Sequence, residues 1–207
     1  FETTQVAIQT TNEEVLEWLP SEAELIAMMS TDPVSGLEAT PGDQHNLTWS
    51  FNSNTQAFNY LAEGETLTLT YTITATDSSL DTASTSQDIT ITITGTNDTP
   101  VISLLEGDLA TAALTEENEG LVTEGSITIA DIDLSDDVAL AVAVQVTAAP
   151  DGVLAVLPSA EALVAMLQIA PITAATPNES NNVEWTFDSQ DQAFDYLAQG
   201  ETLELTY

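Results

Sequence analysis

The chain has 207 residues, 43% of them apolar, with 34 Asp and Glu, no Lys or Arg, no Cys and a single histidine, His45. That is enough apolar material for a buried core, but it excludes disulfides and thiolate metal sites, and it disfavours nucleic acid and anionic membranes, whose phosphates are held mainly by Lys and Arg. A formal charge of −34 opposes compaction, so the carboxylates call for bulk salt or a hard divalent cation such as Ca²⁺ or Mg²⁺.

Along the chain, strand signals dominate. Val6 and Ile8 open the first run. Ser21 with Glu24 forms a capping-box pattern that predicts a short helix through Leu25 and Met28. Trp49, Phe51, Phe58, Tyr60 and Leu61 follow, and Gln56 to Ala62 reads as a second short helix ended by Gly64. Leu67, Leu69, Tyr71, Ile73 and Ala75 alternate with threonines, as do Ile89, Ile91 and Ile93. Period-two alternation predicts half-buried antiparallel strands. Asp77 and Asp81 lie between these two runs, in a loop read as a polar hairpin turn. Gly95 to Pro100, G-T-N-D-T-P, ends the strand and places Asn97 and Asp98 in a turn suited to half of a Ca²⁺ site or to an ordinary Asx turn.

Glu116, Glu117 and Glu119 come next, and one of them could add a bidentate ligand. Ile127 and Ile129 predict a further strand, which leads into the densest acidic cluster, Asp131 to Asp137. If that segment is extended, Asp131 and Asp133 share a face, and two like charges held so close call for a cation between them. Asp136 belongs to the same cluster. Leu140, Val142, Val144 and Val146 predict the next strand, and a helix opens at Ser159 with Leu163 and Met166 on one face.

These late segments repeat the early ones. Leu47 to Tyr71 and Val183 to Tyr207 are identical at sixteen of 25 positions, at an offset of 136, and Pro20 onward matches Pro158 onward at an offset of 138. The chain therefore reads as an internal fragment of an array with a period of ~137 residues. Residues 1–98 are the C-terminal part of one β-sandwich repeat, and 99–207 the N-terminal part of the next. The two parts either fold separately or complement each other. The helix near Gln56 has its counterpart at Gln192 to Ala198, and the aromatics recur as Trp185, Phe187, Phe194 and Tyr196. These rings are either a packing cluster or a sugar-binding platform.

No segment is long and apolar enough to span a bilayer. Catalysis finds little support: no Ser–His or Cys-centred arrangement forms, and a pair of carboxylates carries no information in a chain with 34 of them. His45 sits in a polar loop that has no histidine in the second copy, and Asn46, Asn97 and Asn178 match the N-glycosylation pattern.

Two runs, A-E-G-E-T-L-T-L-T-Y-T-I-T-A-T-D from Ala62 and Q-D-I-T-I-T-I-T-G-T-N-D-T-P-V-I from Gln87, resemble the VCBS repeat of large bacterial surface proteins. The resemblance implies an all-β fold of immunoglobulin- or cadherin-like β-sandwich repeats, here with short helical insertions. It implies an extracellular, cell-surface spacer in an RTX-type adhesin or filament, not an enzyme, with Ca²⁺ between domains. Asn97, Asp98, Asp131 and Asp133 take the calcium roles by that resemblance, and Glu117, Glu119 and Asp136 complete the candidate metal set. The implied partners are neighbouring repeats of the same chain, other copies in a filament, and a cell-surface or glycan ligand met by other parts of the full protein. A carbohydrate-binding module is the alternative. The sequence departs from the family at Asp77–Ser78–Ser79, where a D-G turn is usual, and in the longer Pro20 to Thr40 region.

Overall fold

The computed structural model describes residues 1–38, 40–78, 81–172 and 175–207. Ser79 of the departing turn and Ala39 of the longer insertion lie outside the described residues. Strands dominate, in several antiparallel sheets with few helical residues. Two compact units form: Phe1–Asp98 together with Asp133–Asp136, and Thr99–Ile132 together with Asp137–Tyr207.

In the first unit, β1 (Glu2–Thr10), β4 (Thr66–Thr76) and β5 (Ser84–Thr94) form a sheet in the order β1-β4-β5, and β2 (Met29–Asp32) pairs with β3 (Thr48–Phe51). The alternation in β4 is realised residue by residue. Leu67, Leu69 and Tyr71 are fully buried, and the intervening threonines meet Thr92, Thr90, Asp88 and Ser86 of β5 in a hydroxyl ladder. Such cross-strand pairs stabilise a sheet by a few tenths of a kcal/mol to ~1 kcal/mol each. The core adds Val6 of β1, Val15 of a 3-10 helix (Glu13–Glu17), Leu25 of α1 (Glu22–Ala27), Met28 and Met29. Phe51 of β3 packs on the same core, its ring 6.2 Å from that of Tyr71.

The capping box at the start of α1 is complete: Ser21 accepts from the Glu24 N–H, and the Glu24 carboxylate accepts from the Ser21 N–H and hydroxyl. Those bonds hold the Glu24 carboxyl below its usual range. The helix ends after six residues, where the Tyr71 hydroxyl donates to Leu25 O at 3.0 Å.

In the second unit, β6 (Val101–Ser103), β7 (Val122–Ala130), β10 (Val183–Asp188) and β9 (Leu167–Ile169) form a sheet in the order β6-β7-β10-β9, and β8 (Gln145–Ala148) pairs with β11 (Glu204–Thr206). Helix α2 (Ala160–Ala165) is capped by Ser159, and the Tyr207 hydroxyl donates to Leu163 O at 2.9 Å, as Tyr71 does to Leu25. The two copies share backbone detail as well. Left-handed φ values of 58°, 55° and 57° at His45, Asn54 and Phe58 recur as 52°, 57° and 58° at Asn181, Gln190 and Phe194.

Three expectations need correction. Gln56 to Ala62 and Gln192 to Ala198 are turns, not helices. Phe58 and Phe194 adopt left-handed φ, and Phe58, Tyr60 and Leu61 are all buried, which one α-helical face does not allow for residues so spaced. Each copy instead carries a short 3-10 helix, Glu13–Glu17 and Val153–Ala155. The strand expected from Leu140 begins only at Gln145. In the first copy β1 pairs with β4 from Glu2 to Thr10, whereas β8 pairs with β11 only over Gln145, Val146 and Ala148.

Candidate calcium-binding junction

The acidic cluster after β7 is a turn, not an extended segment, so the shared-face argument for Asp131 and Asp133 does not apply. Both carboxylates are nonetheless almost fully buried, at 3% and 2% exposure. The turn sends the two residues to different settings. Asp131 lies in the second unit, where its N–H donates to Ala175 O. Asp133 lies in the first unit, where its Oδ2 accepts the Asp98 N–H at 2.7 Å. Around it, the Asp136 N–H donates to Asp133 O and the Leu134 N–H to Tyr60 O, while Leu134 packs on the first core. Asn97 donates its side-chain amide to Asp98 O.

The structure thus gathers Asn97, Asp98, Asp133 and Asp136 at one junction of the first unit. Glu117 and Glu119 are exposed in the irregular stretch before β7, and Glu116 is half-buried there. Among the described residues, no three His, Cys, Asp or Glu side chains are close enough to form a ready metal cage. The groups the junction offers are carboxylates, an amide oxygen and backbone carbonyls, all hard oxygen donors. Burying a carboxylate costs several kcal/mol unless hydrogen bonds or a cation compensate it, and the Asp98 N–H supplies one such bond to Asp133.

The other candidates take plainer roles. Asp77 closes its hairpin, its N–H donating to Ala83 O and its carboxylate accepting from the Ala83 N–H. His45, Asn46, Asn97 and Asn178 are exposed. Phe58 meets Tyr60 edge-on at 6.1 Å, and Phe194 meets Tyr196 at 6.0 Å, in the cores of their units. The Tyr60 and Tyr196 hydroxyls have no partner among the described residues, and burial pushes the Tyr60 hydroxyl up to about 12.

One node was not anticipated from the sequence. Asp108 accepts from the Leu105 N–H, the Ser126 and Thr128 hydroxyls and the Asn181 amide. Burial pushes its carboxyl up, but the donors outweigh that and leave it below the usual range. Nearby, Asn182 accepts from the Ile129 N–H and donates to Ile129 O, doing the work of a strand neighbour. Three of its four donors come from two distant segments, around Ser126 and at Asn181, so the sequence near Asp108 does not show the node.

No protein-family model matches the chain, and no curated protein matches it in sequence. Among the described residues, no helix is long and apolar enough to cross a membrane.

Proposed function

We propose that the chain is a structural extender: a stretch of tandem immunoglobulin- or cadherin-like sandwiches from a large, secreted, calcium-stabilised bacterial adhesin or surface filament. The observation that carries this reading is the strand order obtained by laying the two copies over each other. In one repeat the strands run β6, β7, β8 (or β1), β9 (or β2), β10 (or β3), β11 (or β4), and last β5. Lettered A to G, they fall into an A-B-E-D sheet, from β6-β7-β10-β9, and a C-F-G sheet, from β1-β4-β5. That is the order of an immunoglobulin constant-type sandwich. A unit repeated in tandem, contacting only its neighbours, gives reach and stiffness. The packed, edge-on aromatic rings support a core role over a sugar platform.

Calcium enters this reading as the balance to the carboxylates. Asn97, Asp98, Asp133 and Asp136 would hold it, with backbone carbonyls completing the oxygen shell, and its charge would offset theirs. A ligand that binds only the folded state stabilises it by about 2.7 kcal/mol at a hundredfold excess over Kd. Calorimetry in millimolar Ca²⁺ and in EDTA, at equal ionic strength, should separate the melting temperatures by several degrees. Asp98→Asn with Asp133→Asn should abolish that difference, whereas Asp77→Asn with Asp81→Asn should leave it. Coincident melting curves for the unmodified chain would refute the calcium role, and equal effects of the two double variants would show that bulk charge, not a site, governs binding.

A further inference from the structure

We infer that Asp151 is a site of spontaneous covalent change, where the side chain closes on the Gly152 nitrogen and reopens as an isoaspartyl link. The only co-reactant is water. The Asp151 carboxyl reacts as the neutral acid, and the Gly152 backbone nitrogen attacks its Cγ. The N–Cγ bond forms, the Cγ–OH bond breaks, and the hydroxyl leaves as water with the proton of the nitrogen. A five-membered succinimide remains. Water then adds to one of its two ring carbonyls. Opening at the main-chain carbonyl leaves Gly152 attached through Cγ, so the backbone is one carbon longer. Opening at the other carbonyl restores the aspartate. The net reaction is an isomerisation and needs no oxidant, metal or enzyme.

Ring closure is easiest when the attacking nitrogen belongs to glycine, which has no β-carbon to crowd the approach. Asp151–Gly152 is the one Asp–Gly pair of the chain, and there is no Asn–Gly pair. The structure leaves this pair open to reaction. Both residues are exposed. They are the central pair of a turn closed by the Val153 N–H on Pro150 O at 3.2 Å, and Gly152, at φ 84° and ψ −18°, is the left-handed third residue of a type II turn. The peptide plane between them must rotate to bring its nitrogen to Cγ. Among the described residues, neither Asp151 O nor the Gly152 N–H makes a hydrogen bond, and the Asp151 carboxylate accepts none.

The fold closes the next most reactive positions. Asp77 and Asp188 are followed by serine. Asp188 Oδ1 accepts the Gln190 N–H at 2.7 Å, and the nitrogen that would attack it, that of the fully buried Ser189, donates to Leu121 O at 2.9 Å. Asp77 is held across its hairpin, its Oδ1 accepting the Ala83 N–H at 3.1 Å and its own N–H donating to Ala83 O.

The openness belongs to the turn in both copies, since Glu13 and Glu14, the counterparts of Asp151 and Gly152, are exposed as well. The chemistry belongs to one copy, because a glutamate has to close a larger, slower ring. The added carbon falls at the entrance of the 3-10 helix Val153–Ala155, beside the buried Val153, so the change acts on packing as well as on a surface turn.

This inference rests on neither the extender reading nor calcium. Its test incubates the folded chain in oxygen-18 water at neutral pH and maps the label by peptide mass spectrometry. Expected are uptake of one solvent oxygen at Asp151, at a rate within about tenfold of that in a free peptide of residues 145–157, and no uptake at Asp77 or Asp188 over the same time. The labelled peptide should resist a protease that cuts before aspartate. Asp151→Glu, which installs the residue of the first copy, should abolish the uptake and leave the melting temperature unchanged. Asp151→Asn should form the same ring with loss of ammonia, and its mass should rise as it converts to the acid. No uptake at Asp151 while the free peptide converts would overturn the proposal. So would equal uptake at Asp77 or Asp188, which would show that the fold selects no position.

Discussion

Removing one oxygen from Tyr71 tests how the helix is tied to the sheet. Tyr71 is fully buried in β4, and its hydroxyl donates to Leu25 O at 3.0 Å. In Tyr71→Phe the ring stays in the core and only that bond is lost. Leu25 O keeps a second donor, the Met28 N–H at 3.1 Å, so it is not left unsatisfied, and the cost is that of one net hydrogen bond, ~1 kcal/mol, not the 1–3 kcal/mol of an orphaned buried group. For a unit of this size that lowers Tm by about 4–8 °C. The matching change, Tyr207→Phe, should cost less, because Tyr207 is only partly buried. Tyr71 also carries a pH signature: burial raises its hydroxyl to about 12. A group with a raised folded pKa gives its full stability below its unfolded pKa, about 10, and loses it as pH climbs through the folded value. The unmodified chain should therefore weaken between about pH 10 and 12, and Tyr71→Phe should weaken less over that span. Thermal melts followed by circular dichroism at pH 8, 10 and 11.5 check both points. A Tyr207→Phe loss equal to or larger than that of Tyr71→Phe, or an alkaline slope that Tyr71→Phe leaves intact, would refute the reasoning.

Gly95→Ala should destabilise the first unit by about 1–3 kcal/mol. A β-carbon there runs into the Leu61 and Ala62 carbonyls, while the Gly95 N–H and C=O are pinned to Glu65 and Gly64; urea melts would detect the loss, and an unchanged midpoint would count against the packing described. Asp108→Asn should lower the stability of the second unit at neutral pH. Because the folded pKa of Asp108 is depressed, its contribution is complete above the usual Asp range and fades as pH falls through the lowered value. The gap between Asp108→Asn and the unmodified chain should therefore narrow toward pH 2, as read from melts across pH 7 to 2.

What the sequence disclosed was whatever has a local period. The β4 alternation and the Ser21–Glu24 box are each encoded within a few neighbouring residues, and both elements sit where those residues put them. The turn at Phe58 deceived because Phe58, Leu61 and Ala62 have helical spacing, while burial of Tyr60 between them depends on a core assembled from β1, β4 and α1. Strand order was out of reach for the same reason: β7 meets β10 across a separation of more than fifty residues. At the junction, the acids were visible but their burial was not. Asp131 and Asp133 read as a pair on one strand face, yet a turn between them hands one to each unit.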